Sequence, residues 1–264
     1  MLQLHNVHKT FNANSVNEKH ALNGLNLHLN AGDFATVIGG NGAGKSTMLN
    51  AISGVWPIDQ GQILIDGENV TKLPEYKRAT YLGRVFQDPM LGTATNMEIQ
   101  ENLALALRRG KRRTLRWRIT HQERDQYREL LKTLDLGLEN RLTSKVGLLS
   151  GGQRQALTLL MATLTRPKLL LLDEHTAALD PKTAAKVLEI SDRIIAENQL
   201  TALMVTHNMR DAIKHGNRLI MLKDGQIILD ISGEEKNNLT VENLLAKFAI
   251  VAGEELANDR MLLS

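Results

Sequence analysis

Apolar and polar positions alternate along Leu2-Gln3-Leu4-His5-Asn6-Val7 and again along Leu25-Asn26-Leu27-His28-Leu29, which runs into the turn-prone Asn30-Ala31-Gly32. A period of two sends successive side chains to opposite faces, so both stretches are predicted as strands of a half-exposed antiparallel sheet. Ile63-Leu64-Ile65 before Asp66-Gly67, and the pair Leu219-Ile220-Met221-Leu222 and Ile227-Ile228-Leu229 joined through Asp224-Gly225, carry the turn chemistry of hairpins. Three further runs are short and apolar almost throughout: Ala35-Thr36-Val37-Ile38, Leu169-Leu170-Leu171-Leu172 and Ala202-Leu203-Met204-Val205. Such runs suit strands covered on both faces. Each precedes a helical pattern, over 47–53 with Leu49 and Ile52 inward, over 181–198 with Val187, Ile190, Ile194 and Ile195 inward, and over 209–215. That alternation predicts an α/β fold with a mostly parallel sheet wrapped by helices and ligands at the carboxyl ends of its strands.

Residues 97–145 are helical in flavour throughout, with Leu103, Leu105, Leu107, Leu130, Leu131, Leu134 and Leu136 expected inside. They predict a helical subdomain, dividing one domain of 264 residues roughly into 1–86, 87–165 and 166–264. Within it, residues 108–118 hold seven cations: Arg108, Arg109, Lys111, Arg112, Arg113, Arg116 and Arg118. A solvated face explains such a run, as does contact with acidic headgroups or an acidic partner, and less readily nucleic acid. After Gly233 the chain is polar and short, with one docking helix expected over 241–248.

Composition removes possibilities more than it adds them. An apolar fraction of 42% with 23% charged residues is that of an ordinary folded chain. The absence of cysteine excludes disulfides, thiolate metal sites and thiol nucleophiles, and suits a reducing cytoplasm. The opening Met1-Leu2-Gln3-Leu4-His5 has neither a basic nor an apolar leader segment, and no apolar run approaches the roughly 20 residues of a membrane span. A net charge of +3 gives no general affinity for nucleic acid, and none is expected as a partner.

The chemistry concentrates in three places. Gly39-Gly40-Asn41-Gly42-Ala43-Gly44-Lys45-Ser46-Thr47 lies between an apolar strand and a helix. Its glycines let consecutive N–H groups turn toward an anion, the helix directs its positive end there, Lys45 can reach β- and γ-phosphates, and Ser46 offers a hydroxyl to Mg²⁺. Asp173-Glu174 ends a buried strand, where burial and mutual repulsion raise a carboxylate pKa unless a cation offsets them. In the usual division Asp173 supports Mg²⁺ and Glu174 polarises the attacking water. Ser150-Gly151-Gly152-Gln153 opens a helix, Ser150 as its N-cap and the glycines leaving its positive end open to a second anion.

Taken in order, residues 39–46, 149–153 and 169–174 resemble the ATP-binding cassette ATPases, the nucleotide-binding subunits of ABC transporters, over essentially the whole chain. The resemblance implies an α/β P-loop NTPase with a mostly parallel RecA-like core, an antiparallel β subdomain and an inserted α-helical subdomain. It extends to Phe11, which matches the aromatic stacked on adenine although composition favours simple core, and to Gln87, which links the metal to the helical subdomain. Ala178-Leu179-Asp180 matches the loop after the catalytic carboxylate, and His207 the histidine that contacts the γ-phosphate. It further implies a head-to-tail homodimer in which Ser150, Gly151 and Gly152 of one copy close over ATP held by the phosphate loop of the other. Permease subunits would dock near residues 87–101 and place the chain at the cytoplasmic face of the membrane, an extracytoplasmic solute-binding protein taking part indirectly. The sequence departs from the family at Gly40, at Ala177-Ala178, which lacks the usual serine, and at His175, for which packing is the expected role. A single cassette without long coiled coils favours a transporter over chromosome or ribosome ATPases. Lacking fused spans, it favours an importer over an exporter, and the run 173–181 looks most like amino-acid-type uptake systems.

Overall fold

The continuously apolar runs take their meaning from what covers them. A computed structural model describes residues 1–110 and 119–252. The chain opens with β1 (Leu2–Phe11), β2 (Lys19–Leu29) and β3 (Phe34–Ile38), then turns through the glycine loop into α1 (Lys45–Ser53). The hairpin β4 (Gln60–Ile65) and β5 (Glu68–Asn69), the single turn α2 (Glu75–Arg78) and β6 (Leu82–Val85) follow. Next come α3 (Ile99–Leu107), α4 (His121–Lys132) and α5 (Gly151–Thr163), and then β7 (Leu169–Asp173), α6 (Pro181–Asn198), β8 (Thr201–Val205) and α7 (Met209–Lys214). The hairpin β9 (Arg218–Lys223) and β10 (Gln226–Ser232) leads to α8 (Gly233–Asn237) and α9 (Val241–Ala252).

One sheet is four-stranded and antiparallel in the order β2-β1-β4-β5. The other runs β10-β9-β3-β8-β7-β6, parallel except for β10 at its edge. Both faces of the parallel sheet are covered. Leu170, Leu172, Ala202 and Met204 enter a core shared with α3 to α6, while Leu169, Leu171, Ala35, Val37, Leu203 and Val205 enter a second core shared with α1 and the antiparallel sheet. Strands flanked in this way have no polar side, which is why their sequences do not alternate. A third cluster seats Leu244 of α9 against Met209, Leu219 and Met221, with Phe248 packed alongside. Both Asp-Gly hairpins have positive φ at both turn residues, 54° and 82° at Asp66 and Gly67, and 48° and 75° at Asp224 and Gly225.

The described residues of 97–145 are less helical than their composition suggests. α3 and α4 are separate, and between α4 and α5 come only single 3-10 turns at Leu138–Asn140 and Val146–Leu148. Asp135 and Gly137, with φ of 54° and 69°, stop the helix. Leu105 is 57% exposed rather than buried. Two residues from fully buried Leu103, it points some 200° around α3 from the packed face. Leu131 and Leu134 are buried as expected, with Leu107, Leu130 and Leu136 partly so. Of the basic run, Lys111, Arg112, Arg113, Arg116 and Arg118 lie outside the described residues. Arg108 pairs with Glu123 at 3.3 Å and Arg109 donates to Thr165 Oγ1 at 2.8 Å.

One buried cation, on α2, fastens the end of α1 to the loop that follows β5. Arg78 donates to the carbonyls of Ala51, Ile52, Leu73 and Thr71 at 2.6–2.9 Å, so its guanidinium satisfies two carbonyls near the end of α1. Arg78→Met should lower stability by about 2 kcal/mol, the carbonyls losing their donor while the avoided burial of a charge offsets part of the loss. An unmoved urea midpoint would refute this anchoring role.

Candidate functional site

Because β3 ends where its partners end, the loop after it emerges at the carboxyl edge of the sheet. Gly44 caps α1 with φ of 105° and no side-chain cap, so α1 presents its first N–H groups without an internal acceptor from a capping side chain. A Cβ on Gly39 would lie 2.3 Å from the Leu222 carbonyl oxygen, so only glycine fits where the loop crosses β9. The loop is pinned from outside as well, Gly225 N–H donating to the Ala43 carbonyl at 3.0 Å. Lys45 is largely buried, and its Nζ donates to the carbonyls of Gly39 and Gly40 at 2.7 and 3.1 Å. Burial lowers its pKa, and the nearby Glu174 and Asp173 partly offset that.

A cleft at this loop is lined by Phe11, Lys19, Ala21, residues 41–47 and Glu174. Asn41, Gly42, Ala43, Ser46 and Thr47 therefore share one surface with the aromatic of β1 and a carboxylate from the end of β7. Phe11 is held edge-on against Trp56, with ring centroids 4.9 Å apart and planes at 79°, and Lys9 Nζ lies 5.5 Å from its centroid. Lys19 reaches over the loop, its Nζ 2.9 Å from where a Cβ on Gly42 would stand. Sequence does not single out Lys19, which lines the cleft, or Trp56, which braces Phe11 from behind, since each lies in a segment with no motif of its own.

Asp173 and Glu174 diverge at the strand end. Burial raises the pKa of Asp173, and Arg84 beside it works in the opposite direction. Glu174 takes φ of 43°, which turns its side chain into the cleft while its N–H donates to the Val205 carbonyl at 3.0 Å. His207, just beyond β8, places Nδ1 3.7 Å from Glu174 Oε2. His175 turns the other way, into the core. Its Nε2 lies 3.1 Å from Ser191 Oγ, and burial together with His215 pushes its pKa down to about 4 against the pull of Asp192. That is the packing role expected of it.

Other predicted residues stand apart from the cleft of a single chain. Ser150 caps α5, accepting from Gln153 N–H at 3.2 Å, while Gln153 Oε1 accepts from Ser150 N–H in return. Gly152 faces Thr183 so closely that a Cβ would lie 2.0 Å from its methyl, and Gly151 faces Leu179. Asp180 caps α6 by accepting from Thr183 N–H at 3.1 Å, a bond that lowers its pKa. Gln87 is exposed on the loop after β6, and neither it, Ser150 to Gln153 nor Asp180 lines the cleft.

The family model described as ABC transporter matches residues 22–177. The chain belongs to the ABC transporter family. The cassette is 48% identical over 249 residues to the tyrosine transport ATP-binding protein of Clostridioides difficile, covering 94% of this chain and 98% of that one. It is 32% identical to the spermidine/putrescine import ATP-binding protein of Haemophilus influenzae over 89% of its own length, and spans 59% of that longer relative. Among solved structures, an ATP-binding cassette captured as a dimer after hydrolysis with ADP and Pi superposes with a TM-score of 0.75 at 31% identity, over 88% of this chain and 98% of that one. An ATP-binding cassette in its ADP conformation gives 0.77 at 26% identity, over 95% and 98%. The cassette is an ATP-binding, ATP-hydrolysing subunit of a membrane transporter. Among the described residues no helix is long and apolar enough to cross a membrane.

Proposed function

We propose that this ATPase drives an amino-acid importer, with tyrosine the leading substrate, and that two copies hydrolyse ATP in pockets each completes for the other. The observation that carries the shared pocket is the separation just described. The glycine loop, Phe11 and Glu174 line one cleft, whereas the exposed N-terminus of α5 at Ser150 stands outside it. Two helix N-termini favour the same anion, and a second copy is what supplies the second one.

In this reading Phe11 stacks on adenine, residues 39–44 and the start of α1 cradle the phosphates, and Lys45 leaves the loop carbonyls for the β- and γ-phosphates. Glu174 accepts the proton of the attacking water. His207 contacts the γ-phosphate from beside Glu174, and Gln87 and Asp180 act at the loop and dimer edges of the pocket. Among the described residues no three acidic or histidine side chains converge as a metal cage. The hydroxyl of Ser46 and the carboxylate of Asp173 are hard oxygen donors of the kind suited to Mg²⁺ shared with a nucleotide, with Gln87 near it. The ion would neutralise the phosphate charge that builds in the transition state. Exposed Met90 and Leu91, on the loop after Gln87, support permease docking there, and an extracytoplasmic binding protein would deliver the solute to that permease.

The native chain has no cysteine, so a double variant Asn41→Cys with Ser150→Cys gives an unambiguous test. Oxidation should yield a covalent dimer that ATP promotes, and a chain that stays monomeric with ATP present would remove the shared pocket. Substrate is tested separately by uptake of labelled tyrosine, which cells carrying only an inactive chain should lose.

Lys19 adds a smaller expectation. Lys19→Ala should weaken nucleotide binding about tenfold, the worth of one charge-assisted phosphate contact, without lowering the maximal rate in proportion. Equal affinity in a fluorescent-nucleotide titration would place Lys19 outside the phosphate field.

A further inference from the structure

Arg84 belongs to none of the motifs, yet several parts of the site converge on it. On β6 it stands opposite Leu171 of β7, so its side chain leaves the sheet on the same face as Asp173 two residues on. Nη2 donates to Asp173 Oδ2 at 3.3 Å and to Asn50 Oδ1 at 2.8 Å, and Nη1 donates to Ser53 Oγ at 3.0 Å. The guanidinium carbon lies 4.6 Å from the centroid of Phe86, the residue before Gln87. Both members of the ion pair are largely enclosed, at 13% and 15% side-chain exposure. Arg84 Nε is buried without a partner. An enclosed cation that leaves one donor unpaired carries a free-energy cost, so stability alone gives it little reason to be there.

We propose that Arg84 is a positioning residue for the nucleotide-bound metal. It fixes the Asp173 carboxylate through Oδ2 and ties it both to α1 through Asn50 and Ser53 and to the Gln87 loop through Phe86. The contacts suit this task better than a lysine could. A planar fork reaches three acceptors from two nitrogens and lays its face on an aromatic ring, whereas an ammonium has one nitrogen and no face. Movement of the loop that carries Gln87 would then be felt at Asp173 through the Phe86 contact. This deepens the site reading above and rests on Asp173 supporting the metal.

The test separates metal dependence from nucleotide affinity. The full chain is titrated with trinitrophenyl-ATP, first without metal and then with increasing Mg²⁺. Arg84→Gln should leave metal-free binding within about twofold and raise the Mg²⁺ midpoint about tenfold, the low end of what a metal ligand loses with its supporting partner. Arg84→Lys should fall between the two. An unmoved midpoint in Arg84→Gln, alongside a raised one in Asp173→Asn, overturns the positioning role alone. An unmoved midpoint in Asp173→Asn overturns the reading of Asp173 and the proposal with it. If Arg84→Gln does not fold, Asn50→Ala with Ser53→Ala removes the guanidinium's other anchors. It should raise the midpoint about threefold, and no change would overturn the proposal.

Discussion

Glu174→Gln should bind ATP with near-native affinity and turn it over at least about 100-fold more slowly, the lower bound for losing a positioned general base. The substitution keeps the side chain's size and its place in the cleft, so Phe11, the glycine loop and Lys45 remain as they are. What it removes is the capacity to take a proton from water. With hydrolysis halted, the closed pair of chains should accumulate, seen as an ATP-dependent shift from monomer to dimer in sedimentation velocity. Brisk turnover by this variant would take the base role from Glu174. A slow variant that never dimerises would spare that role and remove the shared pocket instead.

Acid should cost the fold about 3 kcal/mol through His175 alone. In the unfolded chain this histidine protonates near 6.5, and in the core it stays neutral down to about 4. Between those values the unfolded state binds the extra proton, so stability rises with pH across the window and the contribution is complete above 6.5. At roughly 1.4 kcal/mol per pH unit the gap amounts to about 3 kcal/mol. Carboxylates titrate over part of the same range, so the comparison is with His175→Gln, which loses the bond to Ser191 at every pH but should show a flatter decline from pH 7 to 4.5. Parallel declines in urea midpoint for the two proteins would contradict the buried neutral histidine.

Local chemistry was legible from the chain, and contacts between strands were not. Gly39 to Thr47 could be read as a glycine loop between strand and helix because its residue types stand in unbroken succession, and Leu169 to Leu172 as a buried strand because two-sided burial erases alternation. Ser150 was legible as a cap since its partner Gln153 lies three residues away. Arg84 was invisible because its meaning depends on β6 lying beside β7 in one register, and Lys19 because β2 carries it to Gly42 from far along the sequence. Leu105 misled for the opposite reason: three leucines at spacing two suggest burial by composition, yet a helix can turn only part of such a set inward. Asp135 and Gly137 broke the expected helical continuity through backbone conformations that leucine content does not report.

The position of Lys45 has a consequence for how the nucleotide is met. Its amine has already shed much of its water, and two backbone oxygens hold it in place. On the reading proposed above, an arriving phosphate would exchange one set of oxygen partners for another, with little hydration left to strip from that group. Association at this loop should accordingly depend less on drying the lysine than on freeing it, which favours quick capture over a slow reorganisation of the cradle.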